Sequence, residues 1–489
     1  MAISVVCLKL YSNIKKTISF ILSIILNMKL INLFIAFFLI INLGFSQKKP
    51  NIVYINIDDL GWTDLACYGS TYYETPNIDR LVSMGIKFTD AYASASNCAP
   101  SRAGLMSGQY SPRTGIYTVG SSKRGKSKDR KLIPVPNITT LHDSVVTLAE
   151  TLKNAGYTTA SMGKWHLGED PRTQGFDINI GGTHAGHPKS YFSPYKNKNL
   201  KDGPEGEYLT DRLTSEGISF LRKNKDKPFF LYMTYYTVHT PLQGKENLIQ
   251  KYKNKRGSKY HKNAVYAAMV EAMDMNVGRL IFTLEKLNLT NQTIIIFTSD
   301  NGGLQTVSEQ YPLKYGKGSY YEGGVRVPLI IRWDGRIKPN TISHTPVINL
   351  DFYPTLLDVA NISSVKEMRL DGKSLTPILF DQGSLKIRPL FWYFPIYLEA
   401  SGGYNKRTGR DPLFRTRPGS TMRYGKWKLH QYFEDGGVEL YDLENDLSES
   451  NNLAKVQSQK TKELLKMLDE WREKMNAPIP TELNQEYIK

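Results

Sequence analysis

The sequence predicts an α/β protein: a large, mostly parallel central sheet flanked by helices, then a smaller C-terminal domain with an antiparallel sheet and a packed helix. Three observations carry this expectation. Between residue 51 and about residue 380, short apolar runs alternate with amphipathic stretches, as strands joined by crossover helices do. Beyond about residue 387 the texture changes to short segments rich in Trp and Tyr, closed by one amphipathic stretch. A chain of 489 residues also exceeds what one hydrophobic core usually supports.

Taken in order, residues 1–46 come first, with Lys9, Lys15, Lys16 and Lys29 and no acidic residue. Apolar runs at 18–26 and 30–45 follow the charges, and Gly44 and Ser46 put small residues at −3 and −1 of the bond before Gln47, as signal peptidases prefer. We read 1–46 as a targeting segment cleaved after Ser46, starting at Met1 or at Met28. The alternative is an uncleaved anchor, since the apolar stretch could span about 30 Å of hydrocarbon. Either way the folded part is expected to be exported, periplasmic or secreted, with no stable membrane span after cleavage.

Residues 47–386 form the expected main domain. Its buried strands fall at 51–57, 228–236, 293–298 and 327–333, short runs rich in β-branched and aromatic residues. Helices are expected at 77–84, 145–154 and 263–287. The second has Asp143 and Ser144 as cap candidates and Gly156 beyond its C-terminus. Residues 387–489 form the expected C-terminal domain, with strands at 390–394, 427–433 and 438–441 and a helix at 454–475.

Composition excludes several classes. With 22% charged residues, 38 Gly and 24 Pro, the chain is neither collagenous, coiled-coil nor wholly disordered. Three cysteines cannot build a disulfide framework. The net charge of +17 favours an anionic partner, and the four leader lysines account for only part of it. No helix-turn-helix, zinc-ligand or RNA-reading aromatic signature is present, so no nucleic-acid partner is expected.

Two strands end in oxygen-rich pairs: Asp58-Asp59, and Asp300-Asn301 before Gly302-Gly303. In open parallel sheets ligands bind beyond the carboxyl ends of the strands. Adjacent carboxylates repel by roughly 4 kcal/mol at 4 Å and an effective dielectric of ~20, which a cation between them would relieve. All-oxygen ligands point to Ca²⁺ or Mg²⁺ rather than zinc. The bland reading is that these residues form turns and satisfy backbone donors. Two such pairs ending two apolar strands favour the metal.

Cys98-Ala99-Pro100-Ser101-Arg102 is the next feature. A single cysteine is more often an inert packed thiol, which is our reading of Cys67. The Cys-x-Pro-Ser-Arg spacing instead resembles the core at which type I sulfatases, alkaline-phosphatase-like enzymes, convert cysteine to formylglycine (3-oxoalanine). Other segments agree: Gly163-Lys164-Trp165-His166, then Val238-His239-Thr240-Pro241, then Lys314-Tyr315-Gly316-Lys317. After the core this chain reads Met106-Ser107-Gly108-Gln109, with Gln109 where the family often has arginine.

The resemblance implies a mechanism. Asp58, Asp59, Asp300 and Asn301 would hold Ca²⁺, with the modified side chain of Cys98 as a further ligand. Hydrated formylglycine would attack sulfur with one of its two hydroxyls, and Arg102 would orient it. Lys164, His239 and Lys317 would surround the sulfate, with His239 protonating the leaving alcohol. His166 would deprotonate the second hydroxyl to expel sulfate. Apart from the resemblance, we place His184 and His187, with Tyr191, at the rim of the substrate pocket, with a plain loop as the equal alternative. Arg407, Arg410, Arg415 and Arg417 are candidates for a contribution to specificity.

The implied partners are a sulfated oligo- or polysaccharide, such as ulvan or carrageenan fragments, and the maturation enzyme that makes the formylglycine. Two alternatives stay open: a phosphodiesterase or phosphonate hydrolase on the same scaffold, and an inactive protein that only binds sulfated glycans.

Overall fold

Residues Asn51–Ile57 are buried along their whole length, because helices cover both faces of the sheet they cross. Their side chains alternate between two separate cores. Val53, Ile55 and Ile57 enter one core with Leu231, Met233, Ile295 and Phe297. Ile52 and Tyr54 enter the other with Phe230, Tyr232, Ile294 and Ile296. This is the two-residue period of a strand with no solvent face.

The computed structural model describes residues 2–44, 49–363, 368–400 and 411–488. The helix Ala2–Gly44 is one compact unit and residues Pro50–Lys489 another. The predicted cleavage point after Ser46 lies outside the described residues. Among the described residues no helix is long and apolar enough to cross a membrane.

The main sheet has eight strands, in the spatial order Ile178–Ile180, Thr158–Gly163, Phe229–Thr234, Asn51–Ile57, Thr293–Ser299, Leu329–Arg332, Ile86–Phe88 and Thr341–Ser343. Pairing is parallel except on the two sides of 329–332, which runs against both neighbours. Helices Pro76–Ser83, Leu209–Lys223 and Ala264–Lys286 bury apolar faces in the first core. Helices Cys98–Ser107, Leu148–Asn154 and Phe352–Val359 cover the opposite face.

The helix expected at 145–154 starts three residues later, at Leu148. Thr147 caps it, and its side chain and that of Glu150 satisfy each other's backbone N–H groups at 3.1 and 2.7 Å. Asp143 instead accepts from Gln174 Nε2. Gly156, at φ +88, follows the C-cap Ala155 as expected.

The C-terminal sheet is antiparallel in the order Leu390–Phe394, Gly419–Tyr424, Trp427–Tyr432, Val438–Asp442. Helix Ser458–Met475 packs on it through Leu464, Leu468 and Trp471, and Trp471 stacks on Phe391 at 4.5 Å.

Candidate active site

Register builds the site. Gly163, Thr234, Asn56 and Thr298 lie in one row across four parallel strands. The residues just past that row therefore meet at one sheet edge: Lys164, Asp58 with Asp59, Asp300 with Asn301, and the loop carrying His239. Backbone bonds extend the row, with Asp58 N donating to Thr237 O at 3.0 Å and Asp300 N to Ile57 O at 3.1 Å. Gly163 is obligatory here, because at φ +107 a Cβ would fall 1.9 Å from the Thr234 carbonyl oxygen. Asp59 (φ 62) and His166 (φ 64) hold the left-handed conformation that non-glycine residues seldom adopt.

Cys98 is the first residue of its helix, after the extended Asn97. Arg102, one turn on, shares its face. Asn349 anchors the helix start, donating to Ser101 O at 2.9 Å and accepting from Ser94 N at 3.0 Å. Nothing in the local sequence around Asn349 marks that role.

Three carboxylates face three cations in a buried cluster. Lys164 Nζ lies 2.8 and 2.7 Å from the two oxygens of Asp58. Lys317 Nζ sits 2.7 and 2.8 Å from those of Asp59 and 3.2 Å from Cys98 Sγ. Arg102 Nε donates to Asp300 Oδ2 at 2.8 Å, and its NH1 donates to the Lys164 carbonyl at 2.8 Å and to Thr234 Oγ1. Cys98 Sγ is 3.5 Å from Asp58 Oδ1 and 3.8 Å from Asp59 Oδ1.

This crowding sets the protonation states. Burial pushes the Asp58 carboxyl up to about 7, against the pull of Lys164. Burial acts on Asp59 in the same sense, but Lys317, His239 and Lys164 overcome it and hold that carboxyl well below the usual range. Burial lifts the Cys98 thiol to about 12, so an unmodified thiol there is a poor nucleophile at neutral pH. Burial takes His239 down to about 3, with Lys317 adding to the effect. His166 falls well below its ordinary value, by burial and then by Lys164, Arg102 and Lys317.

Asp58, Asp59 and Asn301 bring together carboxylate and amide oxygens, the donors that hard cations prefer. Ligand atoms of Asp58, Asp59, Cys98 and His239 lie within 4.8 Å of one another. Asn301 donates through Nδ2 to Asp59 Oδ1 at 2.8 Å, while its buried Oδ1 has no hydrogen-bond partner. An orphaned buried acceptor costs about 1–3 kcal/mol, which coordination would offset. Asp300 is turned away, its Oδ1 accepting from Asp59 N at 3.2 Å and its Oδ2 from Arg102.

The Sulfatase family profile matches residues 50–362. The chain belongs to the sulfatase family. As a sulfatase it is a sulfuric ester hydrolase. A second profile, N-sulphoglucosamine sulphohydrolase, C-terminal, matches residues 314–477. A sulfatase of Formosa agariphila is 37% identical over 88% of this chain and 90% of its own length. Human N-acetylgalactosamine-6-sulfatase is 31% identical over 71% of this chain and 69% of its own. The crystal structure of Ps i-CgsB in complex with k-i-k-neocarrahexaose superposes with a TM-score of 0.72 at 30% identity, covering 90% of this chain and 95% of that one.

Around the centre of this sulfatase, His184 and His187 line a cavity beside the two catalytic-candidate histidines, with His187 stacked on His239 at 6.1 Å and His184 edge-on to His166 at 6.1 Å. Tyr191, expected at the rim, is instead fully buried. Its hydroxyl lies 2.6 Å from the Tyr236 carbonyl and 2.8 Å from that of His239, fixing the His239 loop from below. Arg407 and Arg410 lie outside the described residues. Arg415 NH1 donates to the Lys317 carbonyl at 3.3 Å, and Arg417 pairs with Glu434 at 2.7 Å.

Proposed function

We propose that this sulfatase is exported and removes sulfate esters from a sulfated carbohydrate, with Ca²⁺ and a formylglycine derived from Cys98. The observation that carries the reading is the buried cluster of Asp58, Asp59 and Cys98 beside the unpartnered oxygen of Asn301. The names of the human relative and of the neocarrahexaose-bound neighbour support a glycan substrate. The acid-free, lysine-bearing leader supports export. The division into 47–386 and 387–489 is proposed as the catalytic and C-terminal domains.

Asp58, Asp59, Asn301, the residue at 98 and, after a turn of its carboxylate, Asp300 would hold the ion, which supplies positive charge to an oxygen of the bound sulfate. Formylglycine, as its hydrate, supplies one hydroxyl for attack on sulfur and a second whose deprotonation expels sulfate. The rest is done by the chain. Arg102, fixed by Asp300 and the Lys164 carbonyl, orients the side chain at 98. Lys164 and Lys317 hold the anion and oppose charge that grows in the transition state.

His239 Nδ1 donates to the Thr240 carbonyl at 2.7 Å, which leaves Nε2 facing the carboxylates; to act as the acid, Nε2 must first take up a proton with the anionic substrate in place, and it then passes that proton to the leaving oxygen. His166 Nδ1, buried and without a hydrogen-bond partner, takes a proton in the second half-reaction.

The test is sulfate release by wild type and Cys98→Ala, with parallel aryl sulfate and aryl phosphate assays. Loss of turnover with retained glycan binding supports the reading. Equal turnover in the variant, or a preference for the phosphate ester, overturns it.

A further inference from the structure

The cavity that His184 and His187 line encloses about 260 Å³. Small-ligand sites usually measure about 300–1,000 Å³, so this one suits a single sugar unit rather than a length of polymer. Its wall carries Lys189, Lys196 and Lys198 against one acid, Glu169, which Lys198 engages. Among the described residues, neither Lys189 nor Lys196 has a carboxylate partner, so the cavity keeps two uncompensated positive charges. Lys164 and Lys317 lie in the buried cluster, where they would face the ester that is cleaved.

The turn that carries Lys196 is held firmly. Tyr195 N donates to Asp202 at 2.6 Å and its hydroxyl to Glu207 at 2.8 Å, while Asn197 donates to the Gly181 carbonyl at 2.9 Å. Between these anchors Lys196 sits at φ 54, a conformation a lysine keeps only when its surroundings dictate it. Between the lining residues Ala185 and His187, Gly186 lets the loop lie against His166, since a Cβ there would fall 2.7 Å from His166 Cε1. The cavity is thus joined to His166 and His239 through the ring contacts of His184 and His187.

Resting on the sulfatase reading above, we infer that this cavity is a subsite for a second anionic substituent of the substrate, a sulfate ester or a carboxylate, read by Lys189 and Lys196. The preferred substrate then carries at least two negative groups close together: the ester that is cleaved and one that is only bound.

The test measures calorimetric binding of three probes to wild type and to K189A/K196A. The probes are a carrageenan disaccharide with one sulfate, the same disaccharide with two, and a monosulfated disaccharide containing a uronate. Wild type should bind at least one doubly charged probe about tenfold or more tightly than the singly charged one, with a steeper salt dependence. The double variant should lose that advantage and keep its affinity for the singly charged probe.

A preference for the two-sulfate probe alone assigns a sulfate to the subsite, and a preference for the uronate probe alone assigns a carboxylate. The subsite is refuted if wild type does not discriminate, binds none of the probes, or loses affinity for all of them equally in the variant. Sulfate release from the same probes is read separately: discrimination without any release would count against the catalytic reading and leave the subsite standing.

Discussion

Arg102 ties three strand ends together, through Asp300, Thr234 and the Lys164 carbonyl. A lysine cannot reproduce that fork. Arg102→Lys should lower kcat by roughly a hundredfold or more, since one lost charge-stabilising donor costs about 10²–10³, with a much smaller change in KM; steady-state kinetics decide. Asn301 lends itself to a metal test. Wild type freed of metal should gain thermal stability as Ca²⁺ is added, through preferential binding to the folded state. Asn301→Ala, lacking the orphaned oxygen, should need about tenfold more Ca²⁺ for the same gain, the weakening typical of lost support in a metal site. A melting temperature indifferent to Ca²⁺ in wild type would contradict the donor-set argument.

Among elements, the 158–163 strand makes the sharpest prediction. Gly163→Ala places a methyl group against the Thr234 carbonyl at a left-handed φ, so it should destabilise by about 3 kcal/mol or more and displace Lys164. Chemical denaturation measures the first effect and kcat the second. Legibility in the sequence also varied by element. The 51–57 strand is readable to the residue, because it is wholly buried and ends at a charged pair. The start of the 148–154 helix is not, because several cap candidates compete and only the capping box of Thr147 with Glu150 resolves them. Strand Gly419–Tyr424 escapes a hydrophobicity reading, since its buried Ser420, Thr421 and Arg423 are polar. The antiparallel direction of 329–332 depends on connections that local sequence does not encode.

At the scale of the whole molecule, the segment 322–326, which leads into strand 329–332, shares a buried ionic network with the C-terminal sheet. Lys428, on the strand 427–432, lies 2.7 Å from Glu322 and 3.2 Å from Glu449, and all three are fully buried. Glu322 also pairs with Arg326 at 2.6 Å. Removing one member strands the others, so Lys428→Met should cost about 3–5 kcal/mol. Burial raises the proton affinity of Glu322, yet Lys428 and Arg326 overcome it and hold the carboxyl far below its usual 4.5. A carboxyl depressed in this way stabilises the fold fully above pH 4.5 and loses that contribution as pH falls below it. Urea titrations from pH 7 to pH 3 should therefore show a steeper acid loss in wild type than in Lys428→Met.

The candidate cluster was legible because its residues are strand-end and helix-start positions in short motifs, which the sheet register then gathers. The buried supports Thr234, Asn349 and Tyr191 were not, because their roles arise only from long-range packing.

Mass spectrometry of the Cys98 peptide, from protein made in its native host and shown to release sulfate, decides whether formylglycine is the nucleophile. In the active fraction the side chain at 98 should be an aldehyde or its hydrate. An intact thiol throughout fully active material would contradict it.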